Sequence, residues 1–149
     1  AYPGGWSQVS SKIITVGKIL SLDIKKMDKL KNVSFLQCDF LEKGTKEKIF
    51  KFFNEKLDVV LSDMAANTTG NKSLDCIRTN QLCADVVEFS SKILKPNGVL
   101  VSKLFMGDDF LEVKELAKSR FKKVEFFKPE ASRNESKETY LHCVTLRTL

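Results

Sequence analysis

Five ionisable residues close a short apolar segment, directly follow one or begin one: Asp23, Asp39, Asp63, Lys103 and Glu138. Carboxylates accept hydrogen bonds from hydroxyl groups, and an amine can take up a proton. A single Asp after a strand is most often a cap or turn residue. Four acids and one amine at the ends of strands, where open α/β sheets bind their ligands, instead indicate a functional site.

A turn with two glycines, Pro3-Gly4-Gly5-Trp6, lies at the start of the chain, before a predicted short helix. Glycine lets backbone N–H groups approach a ligand closely. Asp23 follows Gly5 by 18 positions, near the ~20 expected for an acid that binds ribose hydroxyls. The pattern indicates nucleoside binding, but the chain lacks G-x-G-x-x-G, which disfavours a nicotinamide dinucleotide. An ordinary tight turn is the alternative interpretation of these glycines.

The apolar pattern alternates between strand and helix periodicity, which predicts a parallel sheet covered by helices on both faces. Strands are predicted at 18–23, 33–37, 57–61, 99–105, 124–127 and 140–146, and helices at 46–53, 74–94 and around 110–117. The stretch Lys95-Pro96-Asn97-Gly98 is predicted to stop the long helix. Only a short polar link joins Phe127 to Tyr140, so the last strand is predicted to be antiparallel. Its first residues, including Glu138, then lie on the same rim as the other four groups.

Length and composition predict one globular domain, because 149 residues with 42% hydrophobic content can bury a core. No apolar run is long enough to cross a membrane, and no secretory signal is visible. The net charge of +6 favours a polyanionic partner. The spacing of Cys38, Cys76, Cys83 and Cys143 fits no common zinc site, so reduced and mainly buried thiols are expected. The 11 phenylalanines are assigned to core positions, and base stacking is not inferred from them.

Several groups of residues, in order along the chain, resemble the FtsJ-like (RrmJ-type) ribosomal RNA 2′-O-methyltransferases. They are Pro3-Gly4-Gly5-Trp6-Ser7-Gln8, Ser62-Asp63-Met64-Ala65 with Gly70, Lys103-Leu104-Phe105 with Gly107, and Lys128-Pro129 with Ser132, Arg133, Ser136, Glu138 and Tyr140. The resemblance runs from residue 1 to about residue 146. It implies a Rossmann-like fold that uses S-adenosylmethionine to methylate a ribose 2′-hydroxyl in RNA, with large-subunit ribosomal RNA as the expected substrate.

The resemblance also implies roles for particular residues. Asp63, Lys103 and Glu138 match three members of a catalytic Lys-Asp-Lys-Glu tetrad, and the first Lys would lie upstream of Ala1. The cofactor-binding positions by this resemblance are Gly4, Gly5, Trp6, Asp23, Asp39 and Asp63. No metal is expected.

In the family a central strand precedes the Pro-Gly-Gly-Trp turn, whereas this sequence begins at the turn. We therefore expect residues 1–149 to be a single methyltransferase domain that is N-terminally truncated and lacks its first central strand. A monomer that binds RNA and no membrane is expected, located in the cytoplasm or, in a eukaryote, in an organelle.

Alternative functions remain open from the sequence. The chain is either an enzyme or a non-catalytic RNA-binding or ribosome-assembly module that kept the fold, and an enzyme could act on transfer RNA or on the RNA cap. A nicotinamide-dependent oxidoreductase is disfavoured by the turn sequence. Lys128, Arg133 and Lys137 are either phosphate contacts or a solvated basic loop. His142, within the last strand, is expected to be structural rather than a base.

Overall fold

Helices and strands alternate along the chain, as the spacing of the apolar residues predicts. The computed structural model describes residues 1–130, 132 and 136–147. It separates into two compact units, Ala1–Glu55 and Lys56–Leu149, and each is considered by itself below. The single domain expected over residues 1–149 stays a prediction.

The first unit contains two helices and a pair of parallel strands: α1 (Gly5–Ile13), β1 (Leu20–Asp23), β2 (Ser34–Gln37) and α2 (Thr45–Phe53). Each strand is shorter than its apolar segment predicts, because pairing starts only at Leu20 opposite Ser34. The hydroxyl groups of Ser7 in α1 and Ser21 in β1 are buried and lie 2.7 Å apart, so they satisfy each other. Met27 and Ile49 are the buried apolar side chains of this unit.

The second unit contains β3 (Leu57–Ser62), α3 (Lys72–Ile93), β4 (Leu94–Phe105), α4 (Phe110–Arg120), β5 (Phe121–Phe127) and β6 (Glu138–Leu146). Its sheet has the order β3-β4-β6-β5. β3 and β4 are parallel, whereas β6 is antiparallel to both of its neighbours. The predicted mostly parallel sheet with one reversed strand is therefore confirmed.

The segment Lys95-Pro96-Asn97-Gly98, which was predicted to stop the long helix, does not directly follow that helix in the structure. α3 ends at Ile93 and β4 begins at once, so these four residues lie inside a strand rather than in a turn. They form an irregularity, because Leu57 pairs with Leu94 whereas Val59 already pairs with Val99. A Cβ on Gly98 would lie 2.9 Å from the Cβ of Leu94, which explains why only glycine fits there.

The core of the second unit lies between α3, α4 and one face of the sheet. Its buried side chains include Val86, Val87 and Ile93 of α3. From the sheet come Leu100, Leu104, Phe121, Leu141 and Cys143, all fully buried. Along β4 the even-numbered residues 100, 102 and 104 face this core, so Lys103 points to the opposite face. Among the described residues, no helix is long and apolar enough to cross a membrane.

Candidate active site

Three of the ionisable residues singled out from the sequence meet in the second unit. The Nζ atom of Lys103 lies 3.0 Å from Oδ1 of Asp63 and 3.5 Å from Oε2 of Glu138. The lysine side chain is only 13% exposed, whereas those of Asp63 and Glu138 are 42% and 30% exposed. The amine is thus held by two carboxylates that remain accessible to a ligand.

Strand register explains how residues so distant in sequence come together. Lys103 of β4 lies opposite Tyr140 of β6, and Tyr140 lies opposite Phe127 of β5. Asp63 directly follows Ser62, whose partner on β4 is Ser102, so Asp63 extends the same line of residues at the end of β3. Opposed residues in a ladder point to the same face of a sheet. We call Asp63, Lys103, Tyr140 and Phe127 the cross-strand row.

Tyr140 connects the two carboxylates of this site. Its hydroxyl group donates to Oδ1 of Asp63 at 2.7 Å and lies 3.4 Å from Oε1 of Glu138. Burial, followed by the hydrogen bond to Asp63 and the negative charges of both carboxylates, raises the pKa of Tyr140 well above its usual value. The phenol therefore stays protonated near neutral pH and acts as a fixed donor that orients Asp63.

Asn80 of α3 fixes the end of β4 just beyond Lys103. Its side-chain amide donates to the carbonyl oxygen of Phe105 at 2.9 Å and to Oδ1 of Asp109 at 2.8 Å. The backbone N–H of Phe105 donates back to Oδ1 of Asn80 at 2.8 Å. The pairing of β3 with β4 ends at Ser102, before Phe105. The amide of Asn80 therefore pairs with the backbone groups of Phe105 that have no partner on β3. Asn80 is fully buried, and it thereby holds the backbone that carries the lysine.

The predicted cofactor residues other than Asp63 all belong to the first unit. Gly4 has φ of +123° directly before α1, and a Cβ there would lie 3.3 Å from Sδ of Met27. A side chain at this position would therefore be strained and crowded. Gly5 and Trp6 form the first turn of α1, where Trp6 is 36% exposed.

Asp23 and Asp39 lie at the same end of the parallel pair β1 and β2, since Asp23 is in register with Gln37. Asp23 accepts hydrogen bonds from the backbone N–H groups of Tyr2 at 2.7 Å and Lys25 at 2.9 Å, and it also contacts the amino nitrogen of Ala1. Burial raises the pKa of Asp23, but these hydrogen bonds outweigh burial and hold its pKa below the usual value. Oδ1 of Asp39 accepts from the N–H of Leu41 at 2.8 Å. Backbone hydrogen bonds therefore hold both carboxylates in place at the carboxyl end of β1 and β2.

The model of the FtsJ-like methyltransferase family matches residues 1–146 of the chain. The chain belongs to this family. The ribosomal RNA large subunit methyltransferase E of Pelagibacter ubique is 44% identical over 147 residues, covering 99% of this chain and 72% of that protein. The protein of the same name from Rickettsia akari is 46% identical, covering 95% of this chain and 65% of that protein. The chain thus spans less than two thirds of the length of the Rickettsia relative.

A solved structure supports the same assignment. A protein from Plasmodium falciparum named as a ribosomal RNA methyltransferase superimposes with a TM-score of 0.85 at 27% identity, covering 97% of this chain and 82% of that one. The Rossmann-like methyltransferase fold implied by the sequence is therefore confirmed. FtsJ-like methyltransferases take the methyl group from S-adenosylmethionine.

The residues of the first unit fit the adenosine part of this cofactor. A carboxylate oxygen has two lone pairs, so Asp23 keeps acceptor capacity for hydroxyl donors although it already accepts backbone hydrogen bonds. Asp39 likewise has a second oxygen available for an amino donor. The N-terminus of α1 has no side-chain cap, which leaves backbone N–H groups there to a ligand. The role of each residue stays a prediction.

The basic residues, the histidine and the cysteines discussed from the sequence can also be compared with the structure. Nζ of Lys128 donates to the carbonyl oxygen of Ser136 at 2.8 Å, and Lys137 is exposed, so both stay candidates for phosphate contacts. Arg133 lies outside the described residues. His142 lies 3.5 Å from Oε2 of Glu125, consistent with a structural role. Two cysteines are buried and two are partly buried, and no group of metal ligands occurs in the described part of the chain.

Tyr140 and Asn80 have no role that was predicted from the sequence. Tyr140 lies two positions after Glu138, a spacing that puts both side chains on one face of a strand, so the pattern could have placed it beside the lysine. Nothing local marks Asn80, because its partners at Phe105 and Asp109 are 25 and 29 positions away.

Proposed function

We propose that this FtsJ-like methyltransferase methylates a ribose 2′-hydroxyl group in RNA, and that its substrate is the ribosomal RNA of the large subunit. The observation that carries the proposal is the placement of Nζ of Lys103 within 3.5 Å of both Asp63 and Glu138. The names of the relatives that are 44% and 46% identical support ribosomal RNA as the substrate. The net charge of +6 suits a polyanionic partner.

A ribose hydroxyl group is a weak nucleophile, so its proton must leave as the new bond to oxygen forms. In our proposal the ammonium group of Lys103 first gives up a proton to the solvent, and the resulting amine then accepts the proton of the hydroxyl group. The carboxylates of Asp63 and Glu138 then stabilise the ammonium group that results, and they already lie at ion-pair distance. Tyr140 keeps Asp63 in place throughout, since its own hydroxyl retains its proton.

When bound, the cofactor would supply a methyl group on a positively charged sulfur; the bond between sulfur and methyl carbon would break as the bond to oxygen forms, and the sulfur would leave as a neutral thioether. We propose that Asp23 binds the ribose hydroxyls of the cofactor and Asp39 its adenine amino group. Gly4, Gly5, Trp6 and Asp63 are the other cofactor-binding residues that we propose. Most of the rate enhancement in such a transfer comes from alignment of the reacting atoms. We further propose that the protein acts as a monomer, in the cytoplasm or, in a eukaryote, in an organelle.

The direct test measures transfer of a labelled methyl group from S-adenosylmethionine to purified large ribosomal subunits, followed by nuclease digestion and mass spectrometry. We expect a 2′-O-methylated nucleoside. Lys103→Ala is expected to lower the transfer rate by about 10²–10⁴-fold, the usual contribution of a general base. Binding of S-adenosylmethionine, measured by calorimetry, should be largely unchanged in this variant.

Lys118→Ala is the matched control, because Lys118 is also ion-paired, 3.0 Å from Glu115, but on the exposed surface of α4. It should transfer methyl groups at the wild-type rate. Near-wild-type transfer by Lys103→Ala would remove this lysine from the mechanism.

Parallel assays with transfer RNA and capped RNA decide the substrate. A product in one of these and none in ribosomal subunits would overturn the ribosomal assignment. RNA binding without transfer to any of the three would identify a non-catalytic module instead.

A further inference from the structure

We infer that Phe127 is a stacking platform for a nucleobase of the RNA substrate, at or next to the nucleotide that is methylated. This inference rests on the proposed function. Phe127 is the outermost member of the cross-strand row, in register with Tyr140, which is in register with Lys103. The aromatic ring thus lies on the same face of the sheet as the proposed catalytic amine.

The ring of Phe127 is partly open to solvent and partly packed on the site. Its side chain is 46% exposed, although it belongs to a strand beside a buried tyrosine. One side of the ring stacks on Tyr140, with the ring centroids 5.7 Å apart and the planes inclined by 24°. Tyr140 is itself held by its hydrogen bond to Asp63, so the platform has a fixed orientation relative to the site.

The distance across the sheet suits a nucleotide. Neighbouring strands are about 4.8 Å apart, so Lys103 and Phe127, which are two strands apart, are separated by about 10 Å. A nucleotide with its 2′-hydroxyl at Lys103 can place its own base, or the adjacent one, over the exposed part of Phe127. Single-stranded RNA is commonly recognised by stacking of unpaired bases on aromatic side chains.

The rest of the row cannot take this role. Tyr140 is only 8% exposed, and its hydroxyl is engaged with Asp63. Stacking requires a π face, and Phe127 carries the exposed aromatic ring of the cross-strand row, so within this row it is the residue that can hold a base flat.

The test compares Phe127→Ala, Phe127→Leu and Phe127→Trp in steady-state methylation of an RNA substrate. Base stacking on an aromatic residue predicts that Phe127→Ala raises KM by roughly 5- to 150-fold. Phe127→Leu keeps apolar volume but removes the π face, and it should resemble the alanine variant. Phe127→Trp should restore KM, and kcat should stay near the wild-type value in all three.

A second measurement uses RNA with an abasic site at the target nucleotide or at either neighbour. Phe127→Ala should lose its effect on KM when the stacked base is the one removed. The inference is overturned if Phe127→Leu binds like the wild type, or if no abasic position cancels the effect. It is also overturned if kcat falls while KM is unchanged, since Phe127 would then only support Tyr140.

The two proposals fail in different ways. If the wild-type protein methylates intact RNA but the Phe127 variants share its KM, only the stacking platform is wrong. If the wild-type protein methylates no RNA 2′-hydroxyl group, the proposed function fails first.

Discussion

Replacing Asn80 by alanine should destabilise the second unit and loosen the strand that carries Lys103. The substitution removes three hydrogen bonds of 2.8–2.9 Å, two of them to the backbone of Phe105. Because Asn80 is fully buried, water does not replace the lost partner without a structural change. The N–H and the carbonyl group of Phe105 would both be left unpaired.

The size of the effect follows from these groups. Each buried polar group left without a partner costs about 1–3 kcal/mol. Two such groups, partly relieved by relaxation at the end of β4, give an expected loss of about 3 kcal/mol in the free energy of unfolding. For a chain of this length, about 2–4 °C in melting temperature corresponds to each kcal/mol, so the melting temperature should fall by about 6–12 °C.

Urea unfolding followed by circular dichroism measures this loss, and an unchanged slope of the free energy against urea would show that the denatured state is the same. Gln81→Ala is the matched control, because Gln81 is the next residue of α3 but is exposed, and it should change stability by less than about 0.5 kcal/mol. Asn80→Asp keeps the shape but cannot donate to Phe105 or Asp109, and it should be at least as destabilising. If Asn80→Ala unfolds within about 0.5 kcal/mol of the wild type, the amide is not needed to hold β4.

Two further predictions concern Tyr140 and the buried thiols. Tyr140→Phe removes the donor to the charged carboxylate of Asp63 but leaves Lys103 in its ion pairs. Methyl transfer should fall by about 10- to 150-fold, equivalent to one hydrogen bond to a charged group of about 1.5–3 kcal/mol, and an unchanged rate would show that Asp63 needs no orientation. Burial raises the pKa of Cys83 to about 11 and of Cys143 to about 12, and a raised pKa contributes stability that is complete below the ordinary value of 9.0 and is lost as the pH rises through the folded value. The melting temperature should therefore fall progressively above pH 9, and less so in a Cys83→Ala variant; identical alkaline profiles for the two proteins would contradict the role of this thiol.

The sheet and the carboxylates at its edge were predictable, because each depends on local pattern. An apolar segment that ends in an acid identifies both a strand and the position of its carboxyl end, which is how Asp63 was predicted. Lys103 was predicted as the charged residue of the apolar segment 99–105. The short polar link before Tyr140 similarly indicated the reversed strand. These features need only a few neighbouring residues to be recognised.

Other features depend on which segments meet in space, so sequence patterns missed them. The residues around Gly98 have the composition of a turn. In the structure, however, β4 pairs with β3 both before and after them, so they form an irregularity within β4. Phe127 resembles any other core phenylalanine in sequence, and only its place at the outer strand of the sheet leaves the ring exposed. Buried apolar and exposed apolar positions at the end of a strand have the same local pattern.

The reversal of β6 is what makes the site possible. The parallel strands β3 and β4 bring their carboxyl ends to one edge, and so deliver Asp63 and Lys103 there. An antiparallel strand between β4 and β5 presents its first residues at that same edge, which places Glu138 and Tyr140 against the lysine. A parallel strand in this position would have brought its last residues to the edge and carried the acid and the phenol to the opposite one. The order of the strands and the direction of one of them therefore determine the composition of the site.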